Sequence, residues 1–155
     1  MILGRVFSPK GIILNLESED KDELFEEMIQ TVLEVQPAIN RDEALEALRV
    51  RESKMTTGIM HEIAVPHCNC SSVKDCVGVI GVSRKGVDYD SLDGAPVKYV
   101  FMMLCNPSDT ETHLEVLKEL AAVLQNPAFI NEMSEKHSSQ DVYDLLCQYE
   151  ASLAG

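Results

Sequence analysis

The chain has 155 residues, 45% of them apolar and 25% charged, a globular mix of a length that fits one domain, 1–155. Its 26 acidic residues outnumber 13 basic ones, for a net charge of −13. That balance argues against nucleic acid or an anionic membrane as a partner, because both reward basic patches.

Residues 11–16, "GIILNL", read as a first strand. Ser18 or Asp20 then caps a helix whose apolar positions are Leu24, Phe25, Met28, Ile29, Val32 and Leu33, with Gln36-Pro37 as its stop. Asn40 followed by Glu43 signals another start, with Ala44, Leu45 and Leu48 as the buried face up to Arg51. Residues 76–83 and 97–105 have the valine-rich, aromatic composition of strands and are joined through a turn at Asp93-Gly94.

The next helix opens with Ser108 and Glu111 in a capping-box pattern and closes at Pro127. One apolar stripe on it is Leu114, Leu117, Ala121 and Leu124, with Val116, Leu120 and Val123 beside it. A short helix over 128–135 and a last one over 141–149 complete the chain. Strands mixed with helices predict a single α/β domain, a central mixed sheet flanked by helices.

No apolar run approaches the ~18 residues of a membrane span, so no membrane insertion is expected. The opening "MILGRVFSPKGIILNL" is too broken for an export signal. Five cysteines are therefore expected as reduced thiols in a cytoplasm.

The stretch "TGIMHEIAVPH" at 57–67, followed by "CNC", concentrates reactive side chains. His61, His67, Cys68, Cys70 and Cys76 are zinc-ligand types, but no Cys-x-x-Cys occurs and no second knuckle follows, so no metal is expected. "DYDSLDG" at 88–94 lacks the spacing and closing glutamate of a calcium loop and reads as an acidic turn. Packing is a second reading, with Pro66 ending a strand and His67 in a turn. In the third, His67 is a nucleophile: a neutral imidazole near pH 7, aimed by the fixed dihedral of Pro66.

The third reading gains weight from a resemblance. Arg51-Glu52, Thr57-Gly58, Ile59 and then Ile63-Ala64-Val65-Pro66-His67-Cys68, with "GVDYDSLDGAPVKYVFMML" and "THLEVLKELAAVL" downstream, are similar to the fructose/mannitol-type enzyme IIA domains of the bacterial phosphotransferase system, including their nitrogen-regulatory relatives. The resemblance covers nearly the whole chain. It implies that His67 accepts a phosphoryl group from the histidine-containing phosphocarrier protein, that His113 assists, and that Arg51 helps hold the phosphoryl charge. Glu52 belongs to the signature, and Gly58 offers backbone that can approach a phosphate. No cofactor is implied.

The onward partner would be a IIB domain in sugar uptake, or a regulatory target protein if the chain belongs to the nitrogen branch. One departure stands out. Where the family carries a small Gly-Asn-Gly-like tripeptide, this chain has Met60-His61-Glu62. His61 is a candidate replacement hydrogen-bond donor. Glu62 threatens repulsion of an incoming dianion unless it points away. A degenerate, non-phosphorylated binding domain is the reading this departure leaves open. His137, in a polar loop, is given no role.

Overall fold

The computed structural model describes residues 1–58 and 61–154. Ile59 and Met60 lie outside the described residues, and with them the expectation that Met60 adds bulk beside the site. The elements are α1 (Ile2–Val6), β1 (Ile12–Ile13), α2 (Lys21–Val35), α3 (Arg41–Lys54), β2 (Ile63–Ala64), β3 (His67–Asn69), β4 (Cys76–Val87), β5 (Val97–Cys105), α4 (Thr110–Leu124), α5 (Pro127–Met133) and α6 (Ser139–Ala154). The domain is α/β, as expected. Its sheet is mixed: β1 runs parallel to β4, β4 is antiparallel to β5, and β2 and β3 both lie parallel along the other edge of β5.

Alternation along the long strands sends side chains to two separate cores. Val100, Met102 and Leu104 of β5 pack with Leu24, Phe25 and Met28 of α2 and Leu45 and Leu48 of α3. Phe101 and Met103 pack on the opposite face with Leu3 of α1, Val116, Leu120 and Val123 of α4, and Leu146 of α6. The helix starts read from Asp20 and Asn40 hold, since their side-chain oxygens accept the N–H groups of Glu23 and Glu43 at 2.9 Å.

Four expectations need correction. The first strand shrinks to Ile12–Ile13, because Pro9 starts a 3-10 turn over Pro9–Gly11 that takes up the preceding backbone. Ser108 does not cap α4. Its hydroxyl donates to Asn106 Oδ1 instead, and the helix begins after Asp109 without a side-chain cap. The buried stripe of α4 is Val116, Leu120 and Val123, while Leu114 is 63% exposed. The cysteines are not all thiols: Cys76 and Cys105, directly opposed on β4 and β5, form a disulfide, and Cys68, Cys70 and Cys147 are free.

Candidate functional site

Pro66 separates β2 from β3 on the edge of the sheet, where its missing N–H costs no ladder bond. Its carbonyl still accepts Met103 N–H at 3.0 Å, so the chain resumes pairing at once and His67 sits in register with Met103. The period of two then puts His67 and Asn69 on the α4 face and Cys68 in the α2/α3 core. Because β3 is an edge strand, the end of α3 reaches His67 from one side and the start of α4 from the other. The site is built at that seam.

Arg51 and Lys54 from the last turn of α3, His67 and Asn69 from β3, and His113 and Leu114 from α4 line one open cavity of about 590 Å³. The three residues expected to act together, His67, His113 and Arg51, are thus assembled. No carboxylate lines this cavity among the described residues, in a chain where acids are twice as numerous as bases.

His67 is half-buried. Its Nδ1 lies 2.7 Å from the carbonyl oxygen of Val65, which can only accept, so Nδ1 carries the hydrogen and Nε2 keeps its lone pair. Burial pushes its pKa down first; the Val65 hydrogen bond opposes this, nearby Arg51 lowers it further, and Glu52 raises it, leaving it below the ordinary histidine value. The ring is therefore neutral near pH 7. His113 meets it edge-on, with ring centroids 5.8 Å apart at 85°. Burial, and then the neighbouring His67, hold the pKa of His113 down as well. Arg51 Nη1 donates to the carbonyl of Met55 at 3.2 Å, which bends the guanidinium back over the helix end.

Glu52, one residue from Arg51, plays a different part. Its buried carboxylate accepts Thr57 N–H at 2.7 Å, the Thr57 hydroxyl at 2.8 Å, the Tyr89 hydroxyl at 3.1 Å and Lys21 Nζ at 3.2 Å. Burial alone would raise its pKa, but the Thr57 bonds and then the Lys21 charge outweigh that and keep it lowered. Thr57 in turn accepts Val65 N–H on its carbonyl oxygen, and Val65 holds His67. Glu52 supports His67 through this relay and does not line its cavity.

Gly58 needs a corrected reason. A Cβ there would stand 2.6 Å from Ser91 Oγ and 2.7 Å from the Tyr89 ring, while its N–H bonds Thr56 and its carbonyl bonds Leu92. It is a packing glycine, not an open phosphate cradle. His61 is also displaced from the expected place: it is exposed beside a separate apolar groove with Ile63, Val65, Ala121 and Leu124. Glu62 points away, with its carboxylate 3.3 Å from Lys98 Nζ and its carbonyl accepting the N–H groups of Lys98 and Tyr99. The feared repulsion is thereby answered.

Two polar residues of the cavity escaped the sequence reading. Lys54, three residues beyond Arg51, forms no ion pair among the described residues. Its helical spacing from Arg51 was the available signal. Asn69 accepts from His113 Nδ1 at 3.0 Å and had no signal beyond lying two residues after His67.

A neutral imidazole in a cavity lined by two cations and, among the described residues, by no acid is suited to an anionic group. The comparisons name its lineage. The family described as "Phosphoenolpyruvate-dependent sugar phosphotransferase system, EIIA 2" matches residues 5–149, and the chain belongs to it. Members of this family are phosphotransferase components. The chain is 37% identical to the fructose-specific EIIABC component of Bacillus subtilis over 97% of its own length, but it spans only 24% of that relative. It is 28% identical to the nitrogen regulatory protein of Pseudomonas aeruginosa, covering 93% of this chain and 94% of that one. The crystal structure of nitrogen regulatory protein IIA-Ntr from Neisseria meningitidis superposes with a TM-score of 0.87 at 29% identity, over 94% of this chain and 99% of that one. No helix among the described residues is long and apolar enough to cross a membrane.

Proposed function

We propose that this chain is a cytoplasmic phosphohistidine carrier in which Nε2 of His67 takes a phosphoryl group from the histidine-containing phosphocarrier protein. The lone pair of Nε2 forms a bond to phosphorus as the bond from phosphorus to the donor's imidazole nitrogen breaks, its electron pair leaving with that nitrogen. The hydrogen on Nδ1 of His67 stays bonded to that nitrogen and donated to the Val65 carbonyl throughout. Phosphoryl transfer asks for in-line approach and for charge on the equatorial oxygens to be met, and Arg51 and Lys54 supply that charge. The observation that carries the reading is the pairing of Nδ1 with Val65 at 2.7 Å in a cavity lined with Arg51, Lys54 and His113.

The phosphoryl group then passes to a cysteine on a IIB domain, in line with the fructose-specific relative. A second reading, in which the phosphorylated chain acts as a regulatory mark on target proteins without handling sugar, is favoured by the near full-length match to nitrogen regulatory proteins. Intact-mass measurement after incubation with phosphoenolpyruvate and the phosphocarrier system tests the acceptor. The expected result is one phosphoryl group on the wild-type chain and on His137→Ala, and none on His67→Ala. An unmodified wild-type chain would refute the proposal. Onward transfer to a purified IIB domain separates the two branches.

A further inference from the structure

Asn69 and His67 project from the same face of a three-residue strand, and Asn69 is pinned in register opposite Cys105. The following residue is also fixed, since Cys70 N–H donates to the Cys105 carbonyl at 2.9 Å. His113 is equally well placed on its own helix, its N–H bonded to the carbonyl of Asp109 at 3.1 Å. The 3.0 Å contact between His113 Nδ1 and Asn69 Oδ1 thus joins two rigid elements across the mouth of the cavity.

The chemistry of that contact is one-sided. A carboxamide oxygen accepts and never donates, so it requires a hydrogen on Nδ1 of His113. A neutral imidazole with its hydrogen on Nδ1 presents a bare lone pair at Nε2. Facing phosphoryl oxygens, that lone pair repels. Once a second proton binds, Nε2–H becomes a charge-assisted donor and the ring a cation beside the dianion.

We propose that Asn69 is a positioning residue that makes His113 clamp the phosphoryl group as an imidazolium, so that each phosphoryl group accepted on His67 brings one proton from solvent to Nε2 of His113. The inference rests on the carrier reading above. The surroundings fit a ring that is neutral at rest and charged on demand. Facing it are His67 from β3 and Arg51 and Lys54 from α3, while α4 offers Leu114 and Leu117 and no carboxylate on the cavity side. Burial, and then the neighbouring His67, keep the second proton off the empty site. The arriving dianion reverses that balance.

The test measures ring-nitrogen shifts of His113 by ¹⁵N NMR, free and phosphorylated, together with the transfer equilibrium from the phosphocarrier between pH 6 and 8. In the wild-type chain the free ring is expected as the Nδ1–H form, and the phosphorylated one with both nitrogens protonated. The transfer equilibrium constant should then rise as pH falls, by up to roughly tenfold per unit more than in Asn69→Ala. In Asn69→Ala the neutral ring is free to carry its hydrogen on Nε2 and donate without a second proton, so phosphate is still accepted but the extra pH dependence disappears. Asn69→Asp keeps an acceptor and restores that dependence, shifted to higher pH. An Nε2–H ring in the free wild-type chain, or an identical pH slope in wild type and Asn69→Ala with phosphate accepted by both, overturns this inference alone. Failure of the wild-type chain to accept phosphate overturns the carrier reading, and this inference with it.

Discussion

Two polar constellations stand back to back across the end of α3, and they are built on opposite rules. In the Glu52 group, Thr57, Tyr89 and Lys21 converge on one carboxylate, and all of its members but the half-buried Lys21 are buried. In the His67 group, each imidazole has Nδ1 occupied and, among the described residues, Nε2 left over, and Arg51 and Lys54 meet no carboxylate there. A satisfied polar network holds a shape, whereas convergent unsatisfied groups wait for a ligand. The difference marks the first group as structural and supports the proposed chemistry for the second, although Arg51 and Glu52 are consecutive in the chain.

Substitutions should separate the two groups cleanly. The largest effect is expected at His67→Ala, with all phosphoryl acceptance lost and the unfolding midpoint in urea little changed. Next comes Glu52→Ala, which strands the buried Thr57 N–H, leaves the Thr57 and Tyr89 hydroxyls only their mutual 2.8 Å contact, and should cost about 3 kcal/mol in urea unfolding. A loss near zero would mean that the network is not holding the loop. Arg51→Ala should slow phosphorylation roughly 10- to 100-fold, the equivalent of about 1.5–3 kcal/mol for a charge-assisted contact, while leaving stability unchanged. Arg51→Lys should recover only part of the rate, because the planar fork is gone.

Stability against pH sharpens the comparison further. Both imidazoles have folded-state values below their unfolded value of about 6.5. Between those limits the unfolded chain binds more protons, so stability is full above about pH 6.5 and falls as pH drops toward the folded-state values. The double variant His67→Ala/His113→Ala should flatten thermal-unfolding midpoints over that window. Glu52, with a lowered value, contributes in a more acidic window, its stability being lost as pH falls below about 4.5.

The smallest effect concerns His61, which has a left-handed backbone at φ 57°, next to Glu62 at φ 65°. Placing a glycine at the first of these (His61→Gly) should raise stability by up to about 1 kcal/mol and leave phosphorylation unchanged. A loss of phosphorylation there would return His61 to the site.

The sequence was most legible where local chemistry decides. Asp20 and Asn40 announced their helices and the valine-rich runs announced β4 and β5, while the grouping of Arg51, His67 and His113, which share one cavity, was implied by the family resemblance and not by local chemistry. It was least legible where distant partners decide. Nothing local says that Val116 rather than Leu114 turns inward, because that depends on where α1 and α6 lie against α4. The pairing of Cys76 with Cys105 follows from the antiparallel register of β4 and β5, which cysteine counting does not supply. Strands as short as β2 and β3 exist only because β5 offers them an edge. Gly58 looked like a phosphate contact and is a packing residue, since Tyr89 and Ser91 arrive from more than thirty positions downstream.

The central claim is that the Val65 carbonyl chooses which nitrogen of His67 reacts. Correlated ³¹P–¹⁵N NMR of the phosphorylated, histidine-labelled chain reads that choice directly. The account predicts phosphorus bonded to Nε2 of His67, with Nδ1 still protonated. Phosphorus on Nδ1, or on the ring of His113, would contradict it.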